Sequence, residues 1–130
     1  MTDLERNKRT VTSFLETAFG EGRPQEAVER YVGASYRQHS PTAADGTDAF
    51  IEFAGGLARN RPDLSLDIKR VLAEDDLVTV HMHVRGVEEG DDRGHAVIDI
   101  FRLDDDGRIV EHWDVMQPVP ETSPNPNGMF

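Results

Sequence analysis

Residues 96–117 read AVIDIFRLDDDGRIVEHWDVMQ, and this stretch decides the fold. Two runs rich in β-branched and aromatic residues, 96–103 and 108–117, flank the acidic segment 104–107. An Asp-Gly step between two such runs is typical of a β-hairpin turn. The stretch therefore predicts two antiparallel strands joined by a tight turn.

The segments before this hairpin continue the sheet. Leu64, Leu66 and Ile68 alternate with polar residues, and residues 77–88 alternate again. This spacing of two is typical of strands with one buried face. A Gly90-Asp91 step would turn the chain from the longer of these strands into the hairpin.

The first half of the chain has helical spacing instead. Apolar residues recur every three or four positions over 4–19, from Pro24 to Val32, and over 50–58. The stretch 36–41 lacks a period and is predicted to be a loop. Helices followed by antiparallel strands predict an α+β fold, in which the helices pack on one face of a twisted sheet and leave a pocket at its open end.

Composition sets further bounds. The 130 residues fit one domain, 1–130, with a proline-rich, extended tail over 118–130. A net charge of -11 argues against nucleic acid or an anionic membrane as a partner. The absence of cysteine excludes disulfides, thiol nucleophiles and Cys-ligated zinc. With no apolar leader at the start, we expect a cytoplasmic protein.

Two aspartates interrupt the apolar strands. If Asp106-Gly107 forms a two-residue turn, paired residue numbers sum to 213 and Asp99 faces Asp114, with β-carbons about 4.5–5.5 Å apart. Two carboxylates at that distance would share a proton near neutral pH, which is a general acid/base arrangement. A turn one residue longer would place them on opposite faces.

Several other side chains are candidates for a site. His112 would lie diagonally near the aspartates, whereas His81 and His83 point away from Asp99 unless the preceding turn changes length or contains a bulge. His39 lies in the predicted loop. No helical histidine spacing of metalloenzyme type is present, so we expect no metal. The candidate substrate-binding residues are Tyr36, His81, His83, Phe101, His112 and Trp113.

Three stretches, 36–41, 96–103 and 106–120, resemble the SnoaL-like polyketide cyclase branch of the nuclear-transport-factor-2-like superfamily. The ending 125–130 is similar to that of a bacterial subgroup named for aldol condensation. The resemblance implies a cone-shaped, cystatin-like α+β barrel, with N-terminal helices in a strongly curved, mainly antiparallel sheet. It also implies a homodimer formed through the sheet and chemistry without metal or organic cofactor.

The resemblance also implies residue roles. In these cyclases the aspartate of the Trp-Asp step acts as acid/base in an intramolecular aldol ring closure, and here that residue is Asp114. The strand aspartate corresponds to Asp99, and pocket histidines correspond to His39 and to His81 or His83.

Two classes of function follow. In the first, an enzyme abstracts a proton next to a carbonyl of a small hydrophobic substrate, with Asp114 as base and Asp99 or His39 stabilising the enolate. In the second, the same fold is a noncatalytic module that binds a small ligand or a partner chain. A hydrolase whose aspartates activate water is a third possibility. The apolar end Met129-Phe130 is predicted to dock on the protein rather than fray.

Overall fold

The computed structural model describes residues 2–90 and 93–130. None of the helices in these two ranges has the length and apolar character that a membrane crossing requires. The elements in chain order are α1 (Leu4–Leu15), a π-helical turn (Glu16–Gly20), α2 (Pro24–Tyr31), β1 (Val32–Gln38), α3 (Thr47–Asn60), β2 (Ser65–Glu74), β3 (Leu77–Arg85), β4 (His95–Leu103) and β5 (Ile109–Pro118).

The five strands form one curled sheet in the order β1-β5-β4-β3-β2. Strands β2 to β5 are an antiparallel meander, and β1 adds to β5 in parallel. Apolar side chains of the helices fill the inner face of the sheet: the Phe14 ring lies 5.2 Å from Phe50 and 5.9 Å from Phe101, centroid to centroid. The predicted α+β class, with helices packed in a mainly antiparallel curved sheet, is confirmed.

Strand β1 was not expected from the sequence. The stretch 36–41 was predicted to be a loop, but Tyr36 and Gln38 belong to a strand, and Val32 begins that strand rather than ending α2. Residues 33–35 read Gly-Ala-Ser and have little intrinsic preference for a strand. The strand forms at the edge of the sheet, and its register against β5 shifts along its length.

The turn between β4 and β5 also differs from its prediction. The Asp104 amide donates to the Arg108 carbonyl at 2.8 Å, and the Gly107 amide donates to the Asp104 carbonyl at 3.0 Å. The loop is therefore three residues long, and Gly107 takes the positive φ of 78° that such a loop needs at its last position. A two-residue Asp106-Gly107 turn is wrong.

A β-bulge nevertheless restores the predicted pairing. Leu103 pairs with Ile109, but Arg102 pairs with Glu111, so that Val110 is an extra residue on β5. Beyond this bulge the paired numbers again sum to 213. Asp99 therefore faces Asp114, as the sequence predicted, although by a longer turn than the sequence suggested.

The C-terminal tail leaves the sheet after β5 and returns to its outer face. The ring of Phe130 lies 4.3 Å from that of His83 and 5.7 Å from that of His81, nearly parallel to both. The predicted docking of this end is confirmed, and its partner is the outer side of the protein's own sheet.

Candidate active site

A cavity of about 120 Å³ lies between the helices and the inner face of the sheet. Its walls are largely apolar, and its polar side chains come from β1, β4, β5 and the segment that follows β1. These polar side chains are Tyr36, Gln38, Ser40, Thr42, Asp99, His112 and Asp114.

Asp99 lies in the middle of β4 and is only 4% exposed. Its alternating neighbours, Val97 and Phe101, are buried on the same face. Burial raises the pKa of the Asp99 carboxyl, a hydrogen bond with His112 counteracts part of that shift, and the nearby Asp114 adds to it. The protonated form of this carboxyl is therefore favoured by its surroundings.

His112 connects Asp99 to β1. Its Nε2 lies 2.9 Å from Asp99 Oδ1, and its Nδ1 lies 2.6 Å from Gln38 Oε1. Gln38 Nε2 in turn donates to the Tyr36 oxygen at 3.1 Å. The four side chains form one continuous hydrogen-bonded chain along the polar wall of the cavity.

Tyr36 ends this chain. The side chain is buried, and burial is the largest cause that raises its pKa well above the ordinary value, followed by the electrostatic influence of the nearby Asp99 carboxyl. The phenol therefore stays protonated throughout the physiological range and can serve as a hydrogen-bond donor.

Asp114 borders the same cavity but is only partly buried. One ligand atom each from Asp99, His112 and Asp114 lie within 4.8 Å of one another, so these three could hold a cation. Because His112 Nε2 already bonds Asp99, a cation would have to displace that hydrogen bond.

His39 and Trp113 do not join the site. The bulged register turns Glu111 and Trp113 to the outer face of β5, opposite to His112 and Asp114. His39 follows them there: its Nε2 lies 2.7 Å from Glu111 Oε2, and its ring stacks on Trp113 at 4.8 Å. His39 was expected to stabilise an enolate in the pocket, but the structure places it on the other side of the sheet.

His81 and His83 are also on the outer face. Val80 pairs with Asp99, so alternation along β3 turns both histidines away from the cavity. The role of pocket histidine that the resemblance implied for them therefore does not fit their position. The predicted Gly90-Asp91 turn lies partly outside the described residues, because Asp91 is not among them.

Of the expected substrate-binding residues, Tyr36, Phe101 and His112 line the cavity together with both aspartates. Gln38 was not predicted from the sequence as a residue of the site. Tyr36 and Gln38 are two residues apart, the spacing at which strand side chains share a face, but treating 36–41 as a loop concealed that signal.

Three helices enclosed by a curled five-stranded sheet form the α+β cone of the nuclear-transport-factor-2-like class. Residues 11–112 match the SnoaL-like domain family, and the chain belongs to that family.

Solved structures share this fold at low sequence identity. TsrD from Streptomyces laurentii superposes with a TM-score of 0.73 at 24% identity, over 89% of this chain and 91% of that one. A protein from Bacillus cereus provisionally named a polyketide cyclase gives 0.71 at 21% identity, over 85% and 74%. A SnoaL-like protein of unknown function from Burkholderia thailandensis gives 0.72 at 15% identity, over 89% and 99%. No curated protein matches the sequence.

Proposed function

We propose that the protein is an acid/base catalyst that removes a proton from the carbon next to a carbonyl group. Asp114 acts as the base, and Tyr36 donates a hydrogen bond to the enolate oxygen. Asp99 and His112 share one proton and form a neutral pair beside the base. The observation that carries this proposal is the pairing of a half-buried aspartate with a fully buried one in a single apolar cavity. Environments that push two carboxyl pKa values apart are the usual basis for such a division of roles.

The reaction needs no net change in protons. Asp114 takes a proton from carbon, and the electron pair of that C–H bond becomes the enolate. The enolate then attacks a second carbonyl carbon in an aldol ring closure, or takes the proton back at another carbon in an isomerisation. In the aldol closure Asp114 returns the proton to the new alkoxide oxygen, and in the isomerisation it returns the proton to the other carbon. A donor fixed at the enolate oxygen lowers the barrier because it needs no reorganisation as charge develops.

The walls of the cavity favour an uncharged substrate. Among the described residues no lysine or arginine lines the cavity, and its ionisable side chains are Tyr36, Asp99, His112 and Asp114. An anionic group would meet negative charge and apolar surface there, which is costly. We therefore propose a small, neutral, hydrophobic carbonyl compound as the substrate class.

Exchange of carbon-bound hydrogen tests this proposal without knowledge of the natural substrate. β-Tetralone, a neutral aromatic ketone with acidic protons next to its carbonyl, is incubated with the protein in deuterium oxide and followed by nuclear magnetic resonance. We expect the wild type to accelerate exchange and Asp114→Asn to lower the rate by about 10²-fold or more, the size of a lost general base. Asp105→Asn, on the exposed turn, is the matched control.

Equal exchange rates with wild type, Asp114→Asn and buffer alone would refute the base role. Binding of β-tetralone or β-naphthol without any exchange would instead support the noncatalytic module. Exchange that survives in Asp114→Asn but disappears in Asp99→Asn would show that the base is Asp99 and not Asp114.

We also propose that two copies pair through the outer face of the sheet. Ile98 and Val115 face each other across β4 and β5 and are 37% and 73% exposed, which is an unusual position for a directly paired apolar couple. Light scattering should give twice the chain mass of 14.5 kDa for the wild type and a monomer for Val115→Asp. A monomeric wild type would contradict the pairing.

A further inference from the structure

Gln38 lies at the centre of the polar wall and touches three other groups of the site. Its Oε1 lies 3.0 Å from the Ser40 amide nitrogen and 2.6 Å from His112 Nδ1, while its Nε2 lies 3.1 Å from the Tyr36 oxygen. A single amide group therefore contacts Tyr36, the proposed hydrogen-bond donor, and His112, the partner of Asp99.

The Ser40 backbone fixes the orientation of this amide. A backbone N–H can only donate, so the Gln38 atom facing it must be the carbonyl oxygen. Rotating the amide by half a turn would set its NH₂ group against the Ser40 N–H, and one donor in a partly buried place would lose its acceptor. The oxygen therefore points to Ser40 and His112, and the nitrogen points to Tyr36.

This orientation determines the proton on His112. Because Gln38 Oε1 is an acceptor only, His112 Nδ1 must carry a proton and donate it. Nε2 then shares a single proton with Asp99: either the carboxyl is protonated and donates, or the imidazolium donates to the carboxylate. Both arrangements give the Asp99–His112 pair a net charge of zero. A negatively charged Asp114 next to the pair therefore meets no repulsion from a second net negative charge.

The same orientation determines the direction of the Tyr36 hydroxyl. Gln38 Nε2 donates to the Tyr36 oxygen, so the phenolic hydrogen is not used in that bond. Tyr36 lines the cavity, and its hydrogen is free to point to a ligand oxygen there.

We infer that Gln38 is the positioning residue of this site: it holds the proton on His112 Nδ1 and directs the Tyr36 hydroxyl into the cavity. Its catalytic meaning rests on the proposed function, but the tautomer and the hydroxyl direction are properties of the free protein. They can therefore be tested separately.

Nitrogen-15 spectra of the histidine rings test the tautomer without any substrate. In the wild type we expect His112 Nδ1 to be protonated. Gln38→Leu removes the acceptor. The Asp99–His112 pair can then release one proton to solvent, which leaves a neutral His112 that is protonated at Nε2 and donates to the Asp99 carboxylate. We expect that variant to lose most of the Nδ1-protonated population, whereas Gln38→Glu, which still accepts from Nδ1, keeps it.

Binding of β-naphthol tests the hydroxyl direction. Naphthol carries a phenolic oxygen on an apolar ring and imitates an enolate. A glutamate at position 38 would accept from Tyr36 rather than donate to it, so the hydroxyl would turn away from the cavity. We expect Gln38→Glu to weaken naphthol binding about tenfold, equivalent to about 1.4 kcal/mol, the size of one hydrogen bond. Gln25→Glu, the same change at an exposed glutamine outside the cavity, is the matched control.

Two results would overturn the inference. One is a wild-type His112 with an unprotonated Nδ1, and the other is a nitrogen-15 spectrum that Gln38→Leu leaves unchanged while the variant remains folded. If ketone exchange fails but the spectra behave as expected, the proposed reaction is wrong and the role of Gln38 in setting the tautomer stands.

Discussion

Replacing Asp99 with asparagine should make the protein more stable than the wild type, and the difference should grow with pH. Asparagine has the shape of the protonated carboxyl and can donate to His112 Nε2, but it cannot ionise. Because burial raises the Asp99 pKa, the folded protein binds this proton more tightly than the unfolded chain does. Raising the pH from the ordinary value of 3.8 towards the raised pKa therefore removes stability from the wild type only.

The magnitude follows from linkage. Between the two pKa values the wild type loses at most about 1.4 kcal/mol of unfolding free energy for each pH unit, relative to the variant. For 130 residues, with an unfolding entropy of about 2.1 cal/mol/K per residue, that free energy corresponds to a change of about 5 °C in Tm.

The assay is thermal unfolding of both proteins in a series of buffers from mildly acid to mildly alkaline. Asp105→Asn, on the exposed turn, controls for the removal of one charge. A Tm gap between wild type and Asp99→Asn that stays constant with pH would refute the reasoning. So would a variant that is less stable at neutral pH, because that result would mean an ionised Asp99 held by a charged His112.

Three further substitutions test other features. Gly86→Ala should lower the free energy of unfolding by about 1–3 kcal/mol more than Gly46→Ala does. Both glycines have positive φ, but only at Gly86 would a β-carbon lie 2.6 Å from the Asp63 carbonyl oxygen. Equal losses of unfolding free energy in chemical denaturation would contradict this. Phe130→Ala should lower stability by about 1 kcal/mol through lost ring contacts, and an unchanged Tm would show that the docked end contributes nothing. Tyr36→Phe should weaken β-naphthol binding about tenfold in titration calorimetry, with no loss if the hydroxyl does not face the ligand.

Much of the fold could be predicted because its signals are local. Alternation in β3, β4 and β5 follows directly from burial of one face. Counting from a two-residue turn predicted that Asp99 faces Asp114, but this pairing holds only because a bulge offsets the longer turn. Strand β1 could not be found in this way, since an edge strand with Gly-Ala-Ser at its centre depends on pairing with β5 rather than on its own preference.

The site was harder to predict than the fold. Its two aspartates carry a visible signal, a charge within an apolar strand. Which histidines join them depends on which face of the sheet each one occupies. His39 comes from an irregular segment and could not be assigned to a face of the sheet before β1 was known. Because β1 was not predicted, His39 was wrongly placed in the site and Gln38 was left out of it.

The bulge at Val110 determines which side chains of β5 face the cavity. If Val110 paired with Arg102 instead of bulging, paired numbers would continue to sum to 212 along β5. Trp113 and Glu111 would then face inward and Asp114 would face outward. Strand β5 thus has two different faces, one that lines the cavity and one on the outside of the sheet. Deleting Val110 would keep Asp114 opposite Asp99, because its neighbours Ile109 and Glu111 already pair with Leu103 and Arg102. Regular pairing of the full-length strand would instead exchange its two faces.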